Sequence, residues 1–234
     1  AKPAPLLAAC DVDTLTMLTE DEGKRWLADQ GVSLPKGRAV SGQDVVTTAR
    51  EIGFPVALKM MSPLLAHKTE AGAVALNLTN AAEVTVAVSQ MIANVHRYNP
   101  DAVTDHFLVE AMSPAPLAEL IVTFRSDPQF GSALVLGSGG ILVELVGDAA
   151  TLLLPATSHD IERALQSLRV ARLFDGFRGR PKADLSKISA QIHELSQAYL
   201  KESDEVAEIE INPMFVYADH ICAVDALLHR VGEG

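Results

Sequence analysis

The chain has 234 residues, of which 48% are hydrophobic and 21% charged, with a net charge of −11. That is enough chain and enough apolar content for a sizeable core. No Lys/Arg run is longer than two and no apolar run approaches ~18 residues, which excludes a basic nucleic-acid-binding face and a membrane-spanning helix.

Aromatic residues make up 5% of the chain, while Ala, Val, Leu and Ile abound, which suits α/β packing. The two cysteines, Cys10 and Cys222, make no disulfide framework and fit a reducing cytoplasm. Leu7-Ala8-Ala9-Cys10 has the form of a lipoprotein cleavage box. The stretch before it is too short and holds Pro3 and Pro5, so no signal peptide is expected.

In chain order, residues 1–19 read as a Pro/Ala-rich linker from a preceding domain. Thr19 with Glu22 is a capping-box pattern that opens a helix ending near Gly31. Gly42 to Ile52 reads as a second helix. Gly53-Phe54-Pro55 turns into a strand at Val56–Met60, a polar loop follows from Ser62 to Gly72, and Ala73–Leu78 is another strand. Val84, Val88, Met91 and Val95 recur at helical spacing, so 81–97 is an amphipathic helix. Phe107–Ala111, Leu120–Phe124 and Ala133–Leu136 read as strands, the last running into Gly137-Ser138-Gly139-Gly140. Helical patterns return at 158–168 and 184–200, and the chain closes with strands at Val206–Ile211 and Ile221–Ala226. Strands and helices mix without strict alternation. The pattern therefore predicts two α+β lobes sharing a cleft rather than a doubly wound sheet.

The closing hairpin carries the clearest chemistry. Alternation places Glu208, Glu210 and Asn212 on one face and Ile209 and Ile211 on the other. A two-residue turn at Ala218-Asp219 pairs 217 with 220 and 212 with 225. Asn212 and Asp225 then stand opposed, with Cβ atoms roughly 4.5–5.5 Å apart, and Glu210 is a diagonal neighbour. Such oxygens suit Mg²⁺, which takes its other ligands from water and substrate phosphates. The plain alternative is a solvated face with a pair of acids. Pro213 removes a ladder donor and often marks a bulge.

Glu208-Ile209-Glu210-Ile211-Asn212-Pro213 with Val224-Asp225-Ala226 resembles the metal-binding end of ATP-grasp domains in succinyl-CoA synthetase and ADP-forming acyl-CoA synthetases. The resemblance to the latter extends over nearly all of residues 20–230. Gly53 to Lys59 is similar to their nucleotide-lysine strand and Ser62 to Thr69 to their histidine loop. Arg125 to Gly131, Gly137 to Ile141 and Gly176 to Gly179 are similar to further family blocks.

The resemblance implies an ATP-grasp fold, α/β in class, with two lobes holding the nucleotide between them. Lobe one would run about 20–111 and lobe two about 112–232. It implies ATP/ADP and Mg²⁺ as cofactors, with Asn212 and Asp225 on the metal. Lys59 would contact the phosphates. Val109 to Met112 would be the hinge whose backbone reads adenine, Glu110 and Glu119 would hold the nucleotide, and His67 would carry the phosphoryl group.

The residues agree with that reading. Lys59 ends an apolar strand, where an ammonium must snorkel or meet an anion. Lys68 beside His67 favours neutral imidazole, the nucleophilic form. An exposed loop histidine is the plain alternative. Gly72 lets the backbone approach phosphates, although Ala73 stands where the family usually has a second glycine. The 137–140 cluster fits neither Gly-x-Gly-x-x-Gly, since Leu142 breaks it, nor a Walker A sequence; a phosphate nest and a tight turn both remain open. His159, His193 and His220 read as surface residues.

The expected activity is acid–thiol ligation, in which acid, CoA and ATP give acyl-CoA, ADP and phosphate. The chain would need a CoA-binding alpha subunit or fused domain, through which CoA and a carboxylic acid enter. Two alternatives are a regulatory module of a protein-lysine acetyltransferase and a carboxylate–amine ligase. The joint presence of Lys59, His67, Asn212 and Asp225 speaks against the first, and the histidine loop against the second.

Overall fold

The computed structural model describes residues 15–65, 67–127, 129–139, 147–176 and 179–232. The Leu7–Cys10 box, Gly140, Ile141, Phe177 and Arg178 lie outside the described residues. Contacts divide the chain into two compact units: Pro35–Pro114 is one, and residues 15–34 with those from 115 onward are the other.

The smaller unit is built on an antiparallel four-stranded sheet. Its order is β2 (Gly37–Ser41), β5 (His106–Ala111), β3 (Val56–Met60) and β4 (Val74–Leu78). One face packs on α2 (Val45–Ile52) and α3 (Ala81–Tyr98). Val56, Leu58, Met60, Phe107 and Val109 supply the strand side of that core, and Val45, Ala49, Val84, Met91 and Val95 the helix side. The α3 residues are those its periodicity selects. Asn80 caps the helix by accepting the Glu83 amide at 3.0 Å, which satisfies an amide the first turn leaves unpaired. The other strand parity, Ala57, Lys59, Leu108 and Glu110, is buried as well, so β3 is covered along its whole length.

The larger unit holds a sheet in the order β1 (Leu15–Met17), β11 (Ala226–Val231), β9 (Val206–Val216), β6 (Ala118–Asp127), β7 (Gly131–Ser138) and β8 (Ala149–Leu153). β10 (Ile221–Ala223) also pairs with β9. α1 (Glu20–Asp29), α4 (Ser158–Ser167), α5 (Ala171–Phe174) and α6 (Leu185–Glu202) supply its helices. The core joins Leu120, Val122, Phe124, Ile209 and Ile211 of the sheet to Trp26, Ile161, Ile188, Ile192 and Tyr199 of the helices. Alternation then puts Glu119, Thr123, Arg125, Glu208, Glu210 and Asn212 on the opposite face.

Sequence order suggests that α1 belongs to the first lobe, but its contacts put it in the larger unit. β1 pairs with β11, the Leu18 amide donates to the Leu228 carbonyl at 2.9 Å, and Gly23 lies against Ala226 and Leu228. Its start matches the capping box, with the Thr19 amide donating to the Glu22 carboxylate at 2.8 Å. β1, β2, β8 and all of β11 past Ala226 are strand that the sequence pattern did not mark.

Candidate functional site

The hairpin register matches the turn arithmetic. Ile221 pairs with Val216, Cys222 with Phe215 and Ala223 with Met214; beyond a gap, Ala226 pairs with Ile211 and Leu227 with Glu210. Across the gap the Val224 amide donates to the Pro213 carbonyl at 3.1 Å, and the Asn212 amide to the Asp225 carbonyl at 3.1 Å. Asn212 and Asp225 are therefore opposed. Pro213 does accompany a bulge, but on the other flank: the β6–β9 register slips between Leu120 and Val122. On the β10 and β11 side the register stays in step from Ile221 to His229 and shifts only between His229 and Arg230. Asn212 is exposed, and Asp225 and Glu210 are half-buried.

An amide oxygen and carboxylate oxygens form a hard donor set that fits Mg²⁺. Among the described residues no group of three or more His, Cys, Asp or Glu could hold a metal ion by itself.

In the smaller unit Lys59 meets an anion rather than snorkelling. Its Nζ lies 3.1 Å from Glu110 Oε2, and both side chains are 4% exposed. The sheet order brings them together, since β5 lies beside β3 with Ala57 opposite Glu110, which makes Lys59 its diagonal neighbour. The Met112 amide donates to the Pro55 carbonyl at 3.1 Å, so that N–H is already engaged.

His67 is exposed, in a loop pinned by the buried side chains of Leu65, Ala71 and Ala73. Its carbonyl accepts the Ala71 amide at 3.1 Å, and the Lys68 carbonyl accepts the Ala73 amide at 2.8 Å. Gly72 has φ of +67°, and a Cβ there would stand 2.8 Å from the Asn94 amide nitrogen. Backbone conformation and packing against α3 therefore already require this glycine. Gly137 and Gly139 are likewise packing glycines. A Cβ at Gly139 would lie 2.8 Å from the Glu119 and Leu120 backbone, and one at Gly137 would lie 2.8 Å from Ile121.

Glu119 lines a cavity of about 620 Å³ together with Ser138, Asp148, Arg169, Arg172 and Arg180. Asp148 holds this wall together. Burial alone would raise its pKa, but the Ser138 hydroxyl and the Arg169 and Val170 amides bring it below the ordinary value. The sequence did not mark these arginines, since they are scattered along a segment with no strong period. One histidine expectation changes: His193 is half-buried. His220 is exposed as expected, lies 2.9 Å from Asp219 and stacks on Tyr217 with ring centroids 4.7 Å apart.

The family described as ATP-grasp domain matches residues 10–229. The beta subunit of acetate–CoA ligase (ADP-forming) I from Pyrococcus furiosus is 34% identical over 210 residues, covering 89% of this chain and 90% of that protein. The 4-hydroxybutyrate–CoA ligase (ADP-forming) of Nitrosopumilus maritimus is 36% identical over 200 residues, covering 85% of this chain but 28% of that protein. A solved structure of the dinucleotide-forming acetyl-coenzyme A synthetase 1 of Ca. Korarchaeum cryptofilum, in complex with coenzyme A, Ca-AMPCP and HgCl⁺, superposes with a TM-score of 0.84. It is 33% identical, with 91% of this chain and 93% of that chain covered. The chain belongs to the ATP-grasp domain family. Within that family it stands with the ADP-forming CoA ligases, as a subunit or domain of the beta type.

Proposed function

We propose that the chain binds Mg²⁺–ATP or ADP and performs the phosphoryl-transfer half of an ADP-forming acyl-CoA synthetase. The observation that carries this is the opposed Asn212–Asp225 pair, a hard donor set on one sheet face. Mg²⁺, when bound there, would neutralise phosphate charge as phosphoryl transfer proceeds. Lys59 supplies a second positive charge to the phosphates. Glu119 holds the nucleoside, and the backbone around Met112 reads adenine.

His67 is the nucleophile. Its neutral ring nitrogen attacks the γ-phosphorus, the bond to the ADP oxygen breaks, and ADP leaves. The phosphoryl group then passes to a carboxylate, giving an acyl phosphate, and a CoA thiol displaces phosphate from it. The last two steps occur in a CoA-binding alpha subunit or fused domain. Exposure of His67 in a pinned loop suits a group that must meet two partners. The relatives are CoA ligases, which favours this reading over the acetyltransferase-module alternative. No helix among the described residues is long and apolar enough to cross a membrane, and we place the protein in the cytoplasm.

The test is labelling with γ-³²P-ATP, with and without Mg²⁺, followed by mapping of the modified residue. The label is expected on His67 and to require Mg²⁺. His67→Ala should lose it while keeping nucleotide affinity. Undiminished labelling of that variant would remove His67 from the pathway.

A further inference from the structure

Lys59 and Glu110 form a buried ion pair whose geometry is set from a third strand. Glu110 sits in the middle of a row across the sheet, with Gly37 of β2 on one side and Ala57 of β3 on the other. These are two of the smallest residues, so the row leaves a slot for one long side chain. At Gly37 the slot is tight. A Cβ built there would stand 2.7 Å from Glu110 Cγ and 3.0 Å from the Val109 carbonyl oxygen. The Glu110 stem therefore lies where a residue 37 side chain would start. From that slot its carboxylate reaches diagonally to Lys59 Nζ at 3.1 Å.

We infer that Glu110 is a positioning residue that acts on the nucleotide through Lys59, with Gly37 as the space that lets it do so. This rests on the reading of Lys59 as the phosphate-binding lysine, and it reassigns Glu110 from a direct nucleoside contact. The physical reason is desolvation. An ammonium that is 4% exposed in an apolar sheet is destabilised in its charged form unless a carboxylate accompanies it. Its four-carbon stem also has many rotamers, and an anchored Nζ presents its donors to phosphate in one place. Glu110 thus holds the lysine aimed before nucleotide arrives. The pairing cannot be read from Lys59 alone, since it depends on β5 lying between β2 and β3.

The test compares ligands with and without phosphates on the full chain. Affinities for ADP and for adenosine are measured by calorimetry for the wild type and for Glu110→Gln, Gly37→Ala and Lys59→Met. Glu110→Gln is expected to weaken ADP binding about tenfold or more, a change of about 1.4 kcal/mol, and to leave adenosine binding within twofold. Gly37→Ala, which removes no charge, is expected to move ADP affinity in the same direction and again to spare adenosine. Combining Glu110→Gln with Lys59→Met should cost little beyond Lys59→Met alone. Retained adenosine binding certifies the fold of each variant. Equal loss of adenosine and ADP affinity in Glu110→Gln would mean that the carboxylate reads the nucleoside directly, which overturns the inference. So would an unchanged ADP affinity in that variant. If Lys59→Met leaves ADP affinity unchanged, the phosphate role of Lys59 itself fails, and the inference falls with it.

Discussion

Asn212 and Asp225 were legible from sequence for a physical reason. A two-residue turn fixes hairpin register, and register fixes which side chains oppose. The backbone bonds across the gap place the pair where the turn demands. Lys59 was legible as a cation needing an anion, yet its partner was not, because strand order is a tertiary fact. Gly37 carried no signal at all, since its strand was unrecognised. The metal reading makes a residue-level prediction. Mg²⁺ should tighten ADP binding to the wild type and have little effect on Asp225→Ala, whose Mg²⁺-free affinity stays unchanged. A loss of about tenfold in the Mg²⁺-dependent part corresponds to about 1.4 kcal/mol. Titration of ADP with and without the metal reads it directly. Equal Mg²⁺ enhancement in both proteins would move the cation away from Asp225.

At the scale of elements, helices were easier to read than strands. α3 and α6 present long apolar stripes: in α3 Val84, Met91 and Val95 are buried and Val88 is half-buried, and in α6 Ile188, Ile192, Leu195 and Tyr199 are buried. β2 and β8 escaped because their residues are small, polar or exposed, so no alternation stands out. β1 is three residues long. Helix starts are held by local caps, and these make two predictions. Thr157 accepts the Asp160 amide at 3.2 Å, so Thr157→Ala should cost roughly 1 kcal/mol and lower the melting temperature by about 2–4 °C. Glu22, Glu83, Asp160 and Asp184 all have pKa values below their ordinary 4.5 or 3.8, because cap hydroxyls and amides donate to the ionised forms. Carboxylates depressed in the folded state add stability that is present above their unfolded pKa and lost as pH falls through the folded one. Melting temperature should therefore not fall on this account between pH 7 and 5, and should drop below about pH 4. Loss of stability already at pH 6 would require groups other than these caps.

For the whole molecule, the two compact units do not follow chain order. Residues 15–34 return to the unit formed from 115 onward, because β1 needs β11 as its partner and Trp26 and Leu27 belong to that core. Of the residues in the proposed function, Lys59, His67 and Glu110 lie in one unit and Glu119, Asn212 and Asp225 in the other. Ligand binding should stabilise the folded chain. Mg²⁺–ADP at about a hundred times its Kd should add about 2.7 kcal/mol, and Lys59→Met or Asp225→Ala should each remove much of that gain. The division of labour is the further consequence of the proposed function. The chain spans 90% of a beta subunit but 28% of a longer ligase, and on that proposal the acyl and CoA steps would fall to an alpha-type subunit or fused domain. The chain alone, given Mg²⁺–ATP, acetate and CoA, should accumulate label on His67 and form no thioester above background. Addition of a CoA-binding partner subunit should discharge the label and start thioester formation, followed by chromatography of acyl-CoA. Thioester made by the chain alone would place the CoA site within these 234 residues and overturn that division.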